Sequence, residues 1–200
     1  MKLLLQSTRD LKSYLLEVSG ILSSEPEIIS DNVAIYDLHE PISDSLKNQL
    51  NIKQIDFAIF DKFIESNARV FITLSSVKAA ADALDIVLTE NHIPNPITHY
   101  GKSKLLAEEY ILSKEIPQGK SVYILRPCMI HGPGNKGNLN LLYNFVSKGI
   151  PYPFGRYVNK RSFVSVDNLC FVIKELIDSS KIESGIYNIA DDAHISTNEL

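Results

Sequence analysis

The residues that most constrain the fold are an apolar run without alternation, Val70-Phe71-Ile72-Thr73-Leu74. A strand with one wet face alternates apolar and polar residues. A run apolar at nearly every position belongs to a strand buried on both sides, as in a parallel sheet covered by helices. The run recurs at Val122–Leu125 and Ile186–Ile189, and a shorter one at Phe163–Val166. Between these runs lie segments of helical period. His99–Lys114 has Leu105, Leu106, Ile111 and Leu112 as its apolar positions. Leu139–Lys148 is closed by Gly149, and Leu169–Ile177 opens on Asp167 as its N-cap. Strand and helix alternate from residue 70 onward, the pattern of an α/β domain with a mostly parallel sheet. Leu105, Leu106, Phe171, Val172, Leu176 and Ile177 are the expected helix contributions to the core.

The first 69 residues carry a weaker version of this pattern. Lys2–Leu5 and Val33–Tyr36 read as strands, and Leu11–Val18 and Phe57–Ser66 as helices. Two hundred residues suit one domain with a real core. A net charge of −4 argues against nucleic acid or an anionic membrane as partner. No stretch approaches the roughly 18 apolar residues of a membrane span. Two cysteines, Cys128 and Cys170, make no disulfide framework, which points to a reducing cytoplasm. Cys128 and His131 stand three apart, but the remaining histidines are scattered, and no metal site is expected.

The chemistry gathers after the first buried strand. Ser75-Ser76 ends that run. Tyr100 and Lys104 lie four apart in Tyr100-Gly101-Lys102-Ser103-Lys104, on one face of a helix. A phenol serves as a base only if its pKa of about 10 falls, and a neighbouring ammonium lowers it. A strand-end serine beside a helix-borne tyrosine and lysine suits the oxidation of a hydroxyl.

An isolated Tyr-x-x-x-Lys is common by chance, but here it is one of six pieces in order. The others are Phe71-Ile72-Thr73-Leu74-Ser75-Ser76, Leu125-Arg126-Pro127, His131-Gly132-Pro133-Gly134, the stretch from Arg161 to Leu169, and Gly185-Ile186-Tyr187-Asn188-Ile189-Ala190. With them the chain resembles the extended short-chain dehydrogenase/reductases, in the branch of NAD-dependent nucleotide-sugar epimerases and dehydratases. The resemblance runs from about Val70 to Leu200. It implies a Rossmann-like, mostly parallel sheet with helices on both faces, in a single domain over 1–200. Residues 70–200 form the family-like catalytic half, and 1–69 a shortened or degenerate cofactor half.

The resemblance also assigns roles. Tyr100 is the general base that takes the proton of a sugar hydroxyl. Ser76 hydrogen-bonds that hydroxyl. Lys104 binds the nicotinamide ribose and holds down the tyrosine pKa. The backbone at Ser75 lines the cofactor cleft, and Pro127 lies near the nicotinamide. Met129 lies near the sugar, and Asn138 and Arg161 match positions that hold the substrate diphosphate. Arg suits phosphate through paired, charge-assisted hydrogen bonds, although Arg156, Lys160 and Arg161 equally suit a solvated loop. Tyr152-Pro153-Phe154 could flank the nucleotide base or anchor the loop. The implied reaction is epimerisation or dehydration of a nucleotide sugar, with C4 epimerisation of a UDP-sugar as the leading form. The implied cofactor is NAD, although the sequence does not separate it from NADP. Homodimers pairing through the Tyr-bearing helix are a further analogy.

The departures from the family pattern lie at the two ends. The family opens with a strand and a Gly-rich turn whose amides hold the dinucleotide pyrophosphate. Here Gly20 is the only glycine before Gly101, and the strand is followed by Gln6-Ser7-Thr8-Arg9-Asp10. Losing two or three charge-assisted bonds, at about 1.5–3 kcal/mol each, weakens dinucleotide binding roughly a thousandfold or more. Val33–Asp37 admits two readings. As the family's second strand, it would end on the acid that holds the adenosine ribose. As the strand just before the Ser strand, which fits the spacing better, it would take Asp37 out of the ribose site. At the other end, Ser196-Thr197-Asn198-Glu199 is a capping box that announces a helix. The expectation is therefore an epimerase/dehydratase with a reduced cofactor half and an incomplete C-terminal lobe. The alternative is a non-catalytic remnant or fragment that at most binds a nucleotide sugar weakly or serves as an interaction module.

Overall fold

The computed structural model describes residues 3–7, 33–37, 60–132, 147–148, 159–179 and 181–196. Five strands form one parallel sheet in the order β2-β1-β3-β4-β7. They are β1 (Leu3–Ser7), β2 (Val33–Asp37), β3 (Val70–Leu74), β4 (Ser121–Pro127) and β7 (Gly185–Ile189). A smaller sheet joins β5 (Met129–His131), β6 (Arg161–Ser165) and β8 (His194–Ile195), with β6 central. Two helices are complete, α1 (His99–Leu112) and α2 (Val166–Asp178), and residues 60–65 are helical.

The buried runs become the middle of the sheet, and their alternation sends side chains to two separate cores. Phe71, Val122 and Ile124 face one side, where they meet Phe60, Phe63 and Ile111. Val70, Ile72, Tyr123 and Leu125 face the other side, against Leu169, Cys170, Ile173 and Leu176 of α2. The first core is aromatic, with the Phe71 ring centroid 5.1 Å from Phe60 and 5.2 Å from Phe63. Each fully buried ring contributes about 1.5–3 kcal/mol. Lys120 closes the helical segment below them. Its Nζ donates to the carbonyls of Phe63, Ser66 and Ala68 at 2.6–2.8 Å, where the helix end leaves acceptors unpaired.

Several expectations need correction. The cap of α2 is Ser165, whose side chain accepts from Asn168 N, and Asp167 lies in the first turn instead. A serine hydroxyl reaches back to such an amide as readily as a carboxylate does, and Ser165 stands two residues before Asp167. Leu106 and Phe171 are not core. They are 41% and 62% exposed, because α1 and α2 each cover a single face of the sheet. Gln6 and Ser7 belong to β1, level with Tyr36 and Asp37, rather than to a turn.

Spacing had favoured Val33–Asp37 as the strand preceding the Ser strand. In the sheet, β1 lies beside β3, and β2 pairs on the outer side of β1. That is the place of a second strand, the reading that spacing disfavoured. Strand order depends on which edge the chain returns to, and sequence separation does not record it.

The expected helices Leu11–Val18 and Leu139–Lys148 lie outside the described residues, apart from 147–148. So do Thr8–Asp10, Asn138, Tyr152–Phe154, Arg156 and the capping box beyond Ser196.

Candidate active site

The chain order reverses direction between β1 and β3, which makes a crevice at the carboxyl ends of the strands. Ligands of open α/β sheets bind at such a switch point. Ser75 and Ser76 leave β3 there and enter a single 3-10 turn, Val77–Ala79, with Ser76 as its N-cap. Ser76 Oγ accepts from Lys78 N at 3.2 Å. Helix α1 starts above this turn, capped by Thr98, whose hydroxyl accepts from Gly101 N at 3.1 Å.

Gly101 is what allows the approach. A Cβ placed there would stand 2.3 Å from the Lys78 carbonyl oxygen and 2.8 Å from Pro96 Cβ. The helix therefore seats directly on the turn, and the Tyr100 phenol stands near enough to the Ser76 side chain to feel it. Lys104, one turn on, donates from Nζ to the Leu74 carbonyl at 3.3 Å, and Nζ lies 5.9 Å from the Tyr100 ring centroid. Ser76, Tyr100 and Lys104 thus come together at the end of β3, and Tyr100 is 47% exposed, within reach of a ligand.

The electrostatics differ from the expected arrangement. Burial pushes the Tyr100 phenol above its ordinary value of 10.0, and the neighbouring Ser76 side chain offsets part of that rise. Lys104 stands beside the Tyr100 ring while its ammonium donates to the Leu74 carbonyl.

Ser75 is buried, and its hydroxyl turns away from Ser76 to donate to Glu108 Oε1. Its amide donates to the Leu125 carbonyl at 2.7 Å. Glu108 also holds Arg126, through Nε to Oε1 at 2.9 Å and Nη2 to Oε2 at 2.5 Å. Both residues are 1% exposed. Glu108 was not singled out in the sequence, although it lies four residues beyond Lys104 on the same helical face. A carboxylate there, with an arginine at the end of a buried strand, was the available signal.

Pro127 is buried at the end of β4, level with Ile189. Met129 is half-buried in β5, and Arg161 is exposed at the start of β6. Asp191 joins the small sheet to α2. Its carboxylate accepts from Ser165 N at 3.1 Å and Asn168 Nδ2 at 2.7 Å, and lies 3.5 Å from His131 Nε2. The Asn168 bond, first among these, holds the Asp191 carboxyl below its ordinary value. Among the described residues no cluster of three or more His, Cys, Asp or Glu could hold a metal ion, and no helix is long and apolar enough to cross a membrane.

The model of the NAD dependent epimerase/dehydratase family matches residues 42–190. The chain belongs to that family. The match spans β3, the Ser76 turn, α1 and all that follows to β7, and it begins after β2. The chain is 36% identical over 142 residues to a UDP-glucose 4-epimerase of Vibrio cholerae, covering 68% of this chain and 43% of that protein. It therefore spans less than half of that relative's length. Among solved structures, UDP-N-acetylglucosamine 4-epimerase from Bacillus cereus superposes with a TM-score of 0.76 at 18% identity, over 100% of this chain and 78% of that one. UDP-glucuronic acid 4-epimerase from Bacillus cereus, in complex with UDP-glucuronic acid and NAD, gives 0.69 at 15%, over 100% and 80%. At these identities the likeness establishes the Rossmann-like fold.

Proposed function

We propose that this chain carries the catalytic half of an NAD-dependent nucleotide-sugar epimerase, acting at C4 of a UDP-sugar. The observation that carries the proposal is the convergence of Ser76, at the turn that follows β3, with Tyr100 and Lys104 on one face of the helix seated on that turn. A hydroxyl, a phenol and an ammonium converge at the sheet's switch point, and this donor set fits the nicotinamide end of a dinucleotide and a sugar hydroxyl beside it. NAD, when bound, supplies the acceptor for the carbon-bound hydrogen.

The chain's own residues handle the proton. Ser76 orients the reacting hydroxyl, and Tyr100 takes its proton once ionised. Lys104, released from the Leu74 carbonyl toward the ribose and the phenol, supplies the cation that lowers the raised tyrosine pKa. Arg161 and Asn138 serve the diphosphate, and Met129 and Pro127 border the sugar and nicotinamide.

Calorimetric titration with NAD, with and without UDP-glucose, tests this reading. Micromolar binding would support it and would mean that a phosphate site other than a Gly-rich turn serves the dinucleotide. Tyr100→Phe should then abolish turnover while leaving nucleotide-sugar binding nearly intact, and unchanged turnover would remove Tyr100 from the mechanism. A second reading has its own observation, the absence of any glycine before Gly20. In it the catalytic residues are inherited and idle, and no binding at millimolar NAD would establish that reading in place of the first.

A further inference from the structure

Ser76 and Tyr100 lie on separate elements, and the residue that joins those elements touches neither. The Asp82 carboxylate accepts from Ile97 N at 2.7 Å and Thr98 N at 3.0 Å through Oδ2, and from Thr98 Oγ1 at 3.1 Å through Oδ1. Thr98 is the cap of α1, two residues before Tyr100. The same carboxylate lies 3.3 Å from Lys78 Nζ, which also donates to the Asp82 carbonyl at 2.7 Å. Lys78 stands two residues after Ser76, and its amide is bonded to Ser76 Oγ.

Asp82 is therefore bonded on one side to the start of the tyrosine helix and on the other to the serine turn. Its negative charge at the helix N-terminus is favourable in itself. A second tie, Asn95 N to the Ala80 carbonyl at 2.8 Å, closes the same loop. At Gly101 the two elements are in backbone contact, so the seat has one tight position and the Asp82 bonds hold it there.

We propose that Asp82 is a positioning residue that sets how the Tyr100 helix seats on the Ser76 turn, and so the placement of Tyr100 relative to Ser76. The inference deepens the reading of these two as the catalytic pair. Its test needs neither cofactor nor substrate, so its failure is separate from a failure of the epimerase reading.

The test is a double-mutant cycle read by 19F NMR on the full chain labelled with 3-fluorotyrosine. Nine tyrosines give nine signals, and the one lost in Tyr100→Phe is Tyr100. In the otherwise unchanged chain, Ser76→Ala should raise the Tyr100 titration midpoint, since it removes the hydroxyl that lowers it. In the Asp82→Ala background the same Ser76→Ala change should leave the midpoint where Asp82→Ala alone put it. An equal displacement in both backgrounds would overturn the proposal, as would no displacement in the parent chain. If Asp82→Ala does not fold, Lys78→Met removes the turn side of the clamp at a half-exposed side chain. The displacement should then shrink, and an unchanged displacement refutes the proposal as well.

Discussion

Glu108→Ala should be among the most damaging single changes outside the aromatic core. The substitution leaves the Arg126 guanidinium charged and 1% exposed in the sheet, without its carboxylate. It removes both bonds from Arg126 and the one from Ser75, and Arg126 Nη1 already has no hydrogen-bond partner among the described residues. Breaking a buried pair from one side costs about 3–5 kcal/mol, against a total stability of about 5–15 kcal/mol for a domain. For a chain of this size that corresponds to a fall in Tm of about 6–20 °C. The assay is urea unfolding followed by circular dichroism at 25 °C, with thermal melts alongside. Glu108→Leu combined with Arg126→Met replaces both charges by apolar groups of similar volume. That double variant should recover most of the loss, because the cost lies in the abandoned charge rather than in the missing attraction. A Glu108→Ala loss below about 1 kcal/mol would refute the reasoning, as would a double variant no more stable than the single one.

Further outcomes follow from the same contacts. Gly101→Ala should destabilise the chain although alanine favours a helix by about 1 kcal/mol, because the new Cβ meets the Lys78 carbonyl at 2.3 Å; a stabilised variant in urea unfolding would contradict the close seat. Backbone bonds from Ile97 and Thr98 hold the Asp82 carboxyl down at about 2, from an ordinary 3.8. A depressed folded value means its stabilisation is complete above about pH 4 and is lost as pH falls toward 2, so Asp82→Asn should flatten the acid limb of Tm against pH. Burial pushes both the Cys128 and the Cys170 thiols up to about 11. Both should react slowly with a disulfide reagent at pH 8 in the folded protein and quickly in urea. If turnover is found, kcat/KM should climb with pH about tenfold per unit below the raised Tyr100 value of the free protein, since only the phenolate is a base; a flat kcat/KM profile to pH 9 would point to another proton acceptor.

The parts of the fold that were legible in the sequence share a physical cause. Val70–Leu74 and the runs around Val122 and Ile186 are apolar throughout because both sheet faces are covered, so each strand announces itself locally. Tyr100 and Lys104 are four apart on one helix, and Ser76 ends a strand, so helix and strand geometry alone nearly bring them together. What was not legible depends on contacts between distant residues. Asp82 meets Thr98 across a loop of irregular backbone, and no period in the sequence marks it. Glu108 carries a charge where an apolar residue would be expected, and only its distance from Arg126 turns that anomaly into a pair. The strand order β2-β1-β3 is a decision about which edge to join, and the lengths between strands do not encode it. The Tyr100 pKa followed the same rule. Burial raises the Tyr100 phenol, and burial is a property of the packed fold that the spacing of Tyr100 and Lys104 does not record.

Among the described residues, the hydrogen bonds that tie the Ser76 turn to the Tyr100 helix lie between residues 75 and 126. Asp82, Gly101, Thr98, Glu108 and Arg126 hold α1 to β3 and β4 without help from β1 or β2. The catalytic geometry and the hold on the dinucleotide phosphates are therefore separable properties of this fold. A chain could keep the first intact while the second decayed, since the buried ion pair and the aromatic core would still reward the same packing. The stability of this half then selects for Glu108, Arg126 and Gly101 whether or not turnover occurs, and well-formed geometry at Tyr100 is no measure of flux. Binding of NAD separates the two properties, because a dinucleotide pyrophosphate is held at the turn after the first strand of such a sheet and not by the contacts that seat α1.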